Sequence, residues 1–137
     1  MQIQNHLIVS TIGGIGVYLI CDSFKAGIVS FLAGVLIDLD HIPDYLFFKK
    51  GNLNLKDFFS DYLNIKLSRY YLIFHSYELI FILFSLYIFV GKDPILIGLI
   101  VGITIHILLD HLTNTKNPFS YFFIYRALKK FKREELL

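Results

Sequence analysis

Ionisable side chains set inside long apolar runs constrain this chain more than any other feature. Four runs, at about residues 6–22, 24–40, 70–91 and 94–112, are otherwise almost wholly apolar. A hydrocarbon core about 30 Å thick takes about 20 residues of apolar helix, so the runs read as membrane spans, the first two somewhat short. Composition agrees: 55% of the 137 residues are hydrophobic and 18% charged, against about 45–50% and 25% in a soluble domain. Neither a soluble core of this size nor a disordered chain fits. Yet the runs contain His6, the pair His75 and Glu78, and His106, Asp110 and His111, and the second ends in the cluster Asp38, Asp40, His41 and Asp44. A charged group at depth costs about 2.5–3.5 kcal/mol on insertion scales, so such residues pair, line a wet cavity or bind something.

Asp22, Ser23 and Lys25 form one predicted turn, and Gly91, Lys92, Asp93 and Pro94 another. In the stretch 45–69, Leu55, Phe58, Phe59, Tyr62 and Leu63 recur at helical spacing opposite Lys56, Asp57, Ser60 and Asp61. That pattern predicts an amphipathic helix lying in the interface. The tail, 119–137, carries Arg126, Lys129, Lys130, Lys132 and Arg133 and reads as a basic interfacial helix near anionic lipid. Lys25 and Lys92 alone occupy the short turns, and every other Lys or Arg lies in the middle stretch or after the fourth run. The positive-inside rule then puts both termini and the long loop in the cytoplasm. The expectation is one all-α domain in the cytoplasmic (inner) membrane, a bundle of four transmembrane helices with interfacial amphipathic helices. This topology gathers all five histidines in one layer at the cytoplasmic ends of the helices. A net charge of +2 gives no reason to expect nucleic acid, and the expected partner is membrane lipid.

His106 and Asp110 are i,i+4 and share a helix face, so they can give a nitrogen and an oxygen to one metal, or the carboxylate can bridge two. His111 lies about 100° further round. His75 and Glu78 are i,i+3 and offer a ligand together with an orienting carboxylate or a general base. A single cysteine, Cys21, leaves imidazole and carboxylate as the donors, a set suited to zinc, or to manganese or iron, rather than calcium. A lone histidine in a bundle more often serves as hydrogen-bonding glue, but five at one depth favour a site. Two metals about 3.5–4 Å apart would activate water and clamp phosphoryl oxygens, which makes phosphoester hydrolysis the natural chemistry.

His6 opening the first run, Gly-x-x-x-Asp-x-Asp-His from Gly34 to His41, the pair His75-Ser76, and His106-x-x-x-Asp110 followed by Thr113 together resemble a family of small membrane-bound metal-dependent hydrolases. In ligand order that family is similar to the zinc-dependent phospholipase C and single-strand nuclease superfamily. The resemblance runs from about Gln4 to Phe122 and implies that Asp40, His75, His106 and Asp110 hold one metal, with Asp110 bridging to a second held by His6. Ile37 stands where the family has Pro, Tyr70, Tyr71 and Leu72 occupy its His-Arg-Gly stretch, and no second downstream His-x-x-x-Asp or His-x-x-x-Glu follows. One or two metals are therefore expected, zinc first, and not three.

The resulting expectation is a membrane-embedded hydrolase of a phosphoester such as a lipid headgroup, using metal-activated water. Its expected ligands are His6, Asp40, His75, His106 and Asp110, with Glu78 or Asp38 handling a proton, and His41, Asp44 and His111 as outer partners. Phe58, Phe59, Tyr62 and Phe119 are placed to cradle an acyl chain. The alternatives are a proton or metal-ion transport protein built on the same residues, or a non-catalytic protein whose polar layer is interhelical glue.

Overall fold

The structure, a computed structural model, describes residues 3–48, 51, 58, 68–115 and 117–136. Among the described residues the regular elements are helices, with one isolated bridge between Arg69 and Lys132. Helix α1 (Ile3–Cys21) turns at Asp22 into α2 (Phe24–Leu36), whose first turn is capped by the Ser23 hydroxyl accepting the Ala26 N–H. A single 3₁₀ turn, Ile37–Asp40, joins α2 to α3 (His41–Phe48). The polar cluster therefore does not end the second run, which continues as an apolar helical path from Phe24 to Phe47. Pro43 is tolerated there because it falls in the first turn of α3, where its missing N–H is not needed.

Helix α4 (Tyr77–Val90) ends on Gly91 in the left-handed conformation that a C-terminal cap favours. Helix α5 (Pro94–Asn114) begins with Pro94 in its first turn and the Asp93 carboxylate accepting the Ile95 N–H at 2.8 Å. Helix α2 packs against both α1 and α5, α1 also reaches α5, and α4 packs on α5. Gly98 and Gly102 allow the closest approach. A Cβ at either position would collide with the main-chain carbonyl of Ala26 or Ser30, so this pair of small residues sets the α2–α5 distance. Ile37, Ile103, Ile107 and Tyr121 form the core beside it.

Outward faces carry large apolar side chains, including Ile20, Phe89 and Leu112, each more than 80% exposed. Among the described residues three helices are long and apolar enough to cross a membrane: Gln4–Cys21, Phe24–Phe47 and Pro94–Asn114. The third run differs from expectation, since its helix begins only at Tyr77 and has 14 residues, about 21 Å at 1.5 Å each. Residues 70–76 are drawn out of the helix because their backbone is satisfied elsewhere. Asp44 accepts the Tyr71 N–H at 2.8 Å, Asp40 accepts the Phe74 N–H at 2.6 Å, and the Tyr70 N–H pairs with the Phe131 carbonyl at 3.0 Å.

The amphipathic helix expected within 45–69 lies mostly outside the described residues; Phe58 is described and packs edge-on against Tyr45. The tail has only a short helix, α6 (Phe123–Leu128), and a 3₁₀ turn, Arg133–Glu135. It folds back along 68–77, with the Arg133 N–H on the Ser68 carbonyl at 3.1 Å and the Tyr77 N–H on the Tyr121 carbonyl at 3.0 Å.

Candidate metal centre

Asp38, His75, His106 and Asp110 form a group that could hold a metal ion, their ligand atoms all within 4.8 Å of one another. Three of the four are fully buried, while the Asp38 side chain keeps 28% of its surface open. The four donors come from three local structures. His106 and Asp110 lie one turn apart on α5, as their spacing requires. Asp38 sits on the 3₁₀ turn, and His75 on the irregular segment just before α4.

The imidazoles are oriented by their far nitrogens. His106 Nδ1 donates to the Gly34 carbonyl at 2.7 Å, which can only accept, so Nε2 carries the lone pair in the neutral ring. His75 Nδ1 faces Asp40 Oδ2 at 3.3 Å, the carboxylate–histidine arrangement common behind metal ligands. Both Nε2 atoms then point at Asp38 Oδ1, from 3.6 Å for His75 and 3.4 Å for His106, and His106 Nε2 is also 3.4 Å from Asp110 Oδ2. Tetrahedral zinc at about 2.0–2.1 Å from its donors sets them about 3.3 Å apart, close to these separations. His75 Nε2, His106 Nε2 and Asp38 Oδ1 are buried without a hydrogen-bond partner. Acceptor atoms converging in this way fit a cation.

Asp40 stands behind the group rather than in it. Its Oδ2 takes the N–H groups of Phe74 and His75 as well as His75 Nδ1, so it shapes the loop and orients the ring. The 3₁₀ turn carries Asp38, expected to handle a proton, to the imidazoles, and Asp40, expected as a ligand, to the backbone behind them. Asparagine at Asp40 is expected to weaken zinc binding about 10–100-fold while leaving stoichiometry at saturation unchanged. Competition against a chromophoric chelator measures this, and loss of the ion at saturation would restore Asp40 as a ligand.

Of the other expected residues, His6 stacks on His106 with centroids 4.2 Å apart, and its Nε2 is 3.2 Å from Asp110 Oδ1. That oxygen also accepts from Asn114 at 2.7 Å. His41 Nε2 is 3.8 Å from Asp38 Oδ1. Asp44 holds the Tyr71 N–H, and His111 is hydrogen-bonded to the Tyr77 hydroxyl at 2.7 Å, outside the group. Glu78, expected as a base, has both oxygens engaged with the N–H groups of Phe123 and Ile124, at 2.9 and 3.0 Å. It tethers α6.

One residue escaped the sequence reading, and so did the place of another. Asn114 extends the stripe His106, Asp110 by another four residues, a signal that was present. Arg126 reads from the sequence as a cation of the basic tail that, like Arg69, could take up a substrate phosphate, yet it is 1% exposed and donates to the carbonyls of Leu72 and His75, both at 2.9 Å. Burial pulls its pKa down, and the negative charges of Asp40 and Glu78 act against that shift.

Compared with protein-family models, curated proteins and solved structures, the chain gives no match.

Proposed function

We propose that this chain is a four-span protein of the cytoplasmic membrane, with both termini in the cytoplasm, and a metal-dependent hydrolase of phosphoesters at headgroup depth. The observation that carries the reading is the convergence of two imidazole Nε2 atoms and two carboxylates, each imidazole held from behind through its Nδ1. The sequence resemblance to small membrane-bound metal-dependent hydrolases supports the same chemistry. A divalent ion held by Asp38, His75, His106 and Asp110, zinc by donor type, supplies Lewis acidity and a lowered pKa for a water nucleophile.

The chain's own residues do the rest. Asp110 presents Oδ2 to this group and Oδ1 to His6, so His6 and Asp110 are placed to share a second ion. The partly open Asp38 marks the side from which substrate and water approach. Glu78 is left to structure. A lipid phosphodiester or phosphomonoester is the substrate class, since the group sits near one end of the bundle beside the cationic tail.

The test is a phosphoester screen, including phospholipid vesicles, on zinc-loaded protein in detergent beside Asp110→Ala. Hydrolysis by the wild type that falls at least 100-fold in the variant supports the proposal. Metal-loaded protein that cleaves no phosphoester, or equal rates in the two proteins, overturns it.

A further inference from the structure

Arg126 is a buried cation without an ion-pair partner among the described residues, and its Nη2 donates to two carbonyls of one short loop. That loop ends in His75, the one member of the metal group that no helix carries. At its start Leu72 has φ 44°, a left-handed backbone that a branched side chain adopts only when the surroundings enforce it. A guanidinium taken out of water and spent on the carbonyls of Leu72 and His75 is an expensive way to close a surface loop. It makes sense if the placement of the loop matters.

We infer that Arg126 is a positioning residue of the metal centre, holding the 72–75 loop so that His75 meets Asp38 and His106, and that the C-terminal segment is thereby part of the site. The inference rests on the proposed metal binding. Asp40 grips the loop by its N–H groups and Arg126 grips it by its carbonyls, so the backbone that carries His75 is held on both polar sides. Arg126 is itself kept in place by Glu78, which accepts the first two N–H groups of α6, and by the Tyr77 N–H on the Tyr121 carbonyl. Arg126 touches no ligand atom of the group. Its action runs through the main chain alone.

Zinc affinity by chelator competition, and the visible spectrum of the cobalt-substituted protein, are measured for wild type, Arg126→Gln, Arg126→Lys and Glu78→Ala in detergent. Arg126→Gln is expected to bind zinc at least tenfold more weakly and to show an altered cobalt spectrum, with helix content unchanged. Arg126→Lys, whose ammonium still donates to carbonyls, recovers at least half of that loss on a logarithmic scale. Glu78→Ala, which frees α6 while keeping the Arg126 side chain and every ligand, weakens binding at least threefold and reads the same coupling should Arg126→Gln fail to fold. Wild-type affinity and spectrum in Arg126→Gln, or wild-type affinity in Glu78→Ala, overturns the inference while leaving the metal site standing. No zinc or cobalt bound by the wild type overturns the metal site and this inference together.

Discussion

Protein purified without chelator or a histidine tag is expected to carry one to two equivalents of zinc, manganese or iron by elemental mass spectrometry, and the His106→Ala, Asp110→Ala double variant none. Those two residues supply a nitrogen and a carboxylate from one helix face to the same four-residue group. Removing both leaves Asp38 and His75, too few donors for a structural or catalytic zinc site. Asp38→Ala alone should also strip the ion, because Asp38 Oδ1 is the atom toward which both imidazole Nε2 atoms point. Metal retained in the double variant would place the ion elsewhere. Its absence from the wild type, even after loading, would make the polar layer interhelical glue.

The largest effect on folding is expected at Gly102. Leucine there has no room, since the first carbon of any side chain already meets the Ser30 carbonyl and the Ala33 side chain. Overpacking a core costs about 1–3 kcal/mol, and here the obstacle is main chain, which moves only if α5 leaves α2. Separation would pull His106 from the Gly34 carbonyl and carry it away from Asp38. Gly102→Leu should therefore lower the thermal midpoint in detergent and lose the metal together, with Gly102→Ala milder in the same direction. Gly16→Ala is the matched control, with open space around that position. A Gly102→Leu protein with wild-type melting and metal content would show that α2 and α5 are not locked by this contact.

The helices could be read from the chain because apolar runs and turn residues are local signals. So could His106 with Asp110, since α5 is regular and an i,i+4 pair on a regular helix has only one geometry. Irregular backbone defeated the same reasoning elsewhere. Which of Asp38 and Asp40 faces inward depends on the pitch of the turn that holds them. A 3₁₀ turn advances about 120° per residue instead of 100°. The pairing of His75 with Glu78 assumed a helix through both, but the helix starts at Tyr77, so the two side chains serve different neighbours. Arg126 was hidden by its company. In a run of cations only tertiary contacts distinguish the one that is interior, and its partners lie 54 and 51 residues earlier.

That separation has a consequence for the order in which the protein is made. The helices that carry Asp38, His106 and Asp110 are all made before α6, and α2 can pack on α5 as soon as α5 has left the ribosome. The carbonyls of Leu72 and His75 wait for a guanidinium that is synthesised after every ligand. If the group binds its ion as proposed, capture waits until α6 has been made, and a nascent chain stalled before α6 would have all four ligands synthesised with the 72–75 loop still unset.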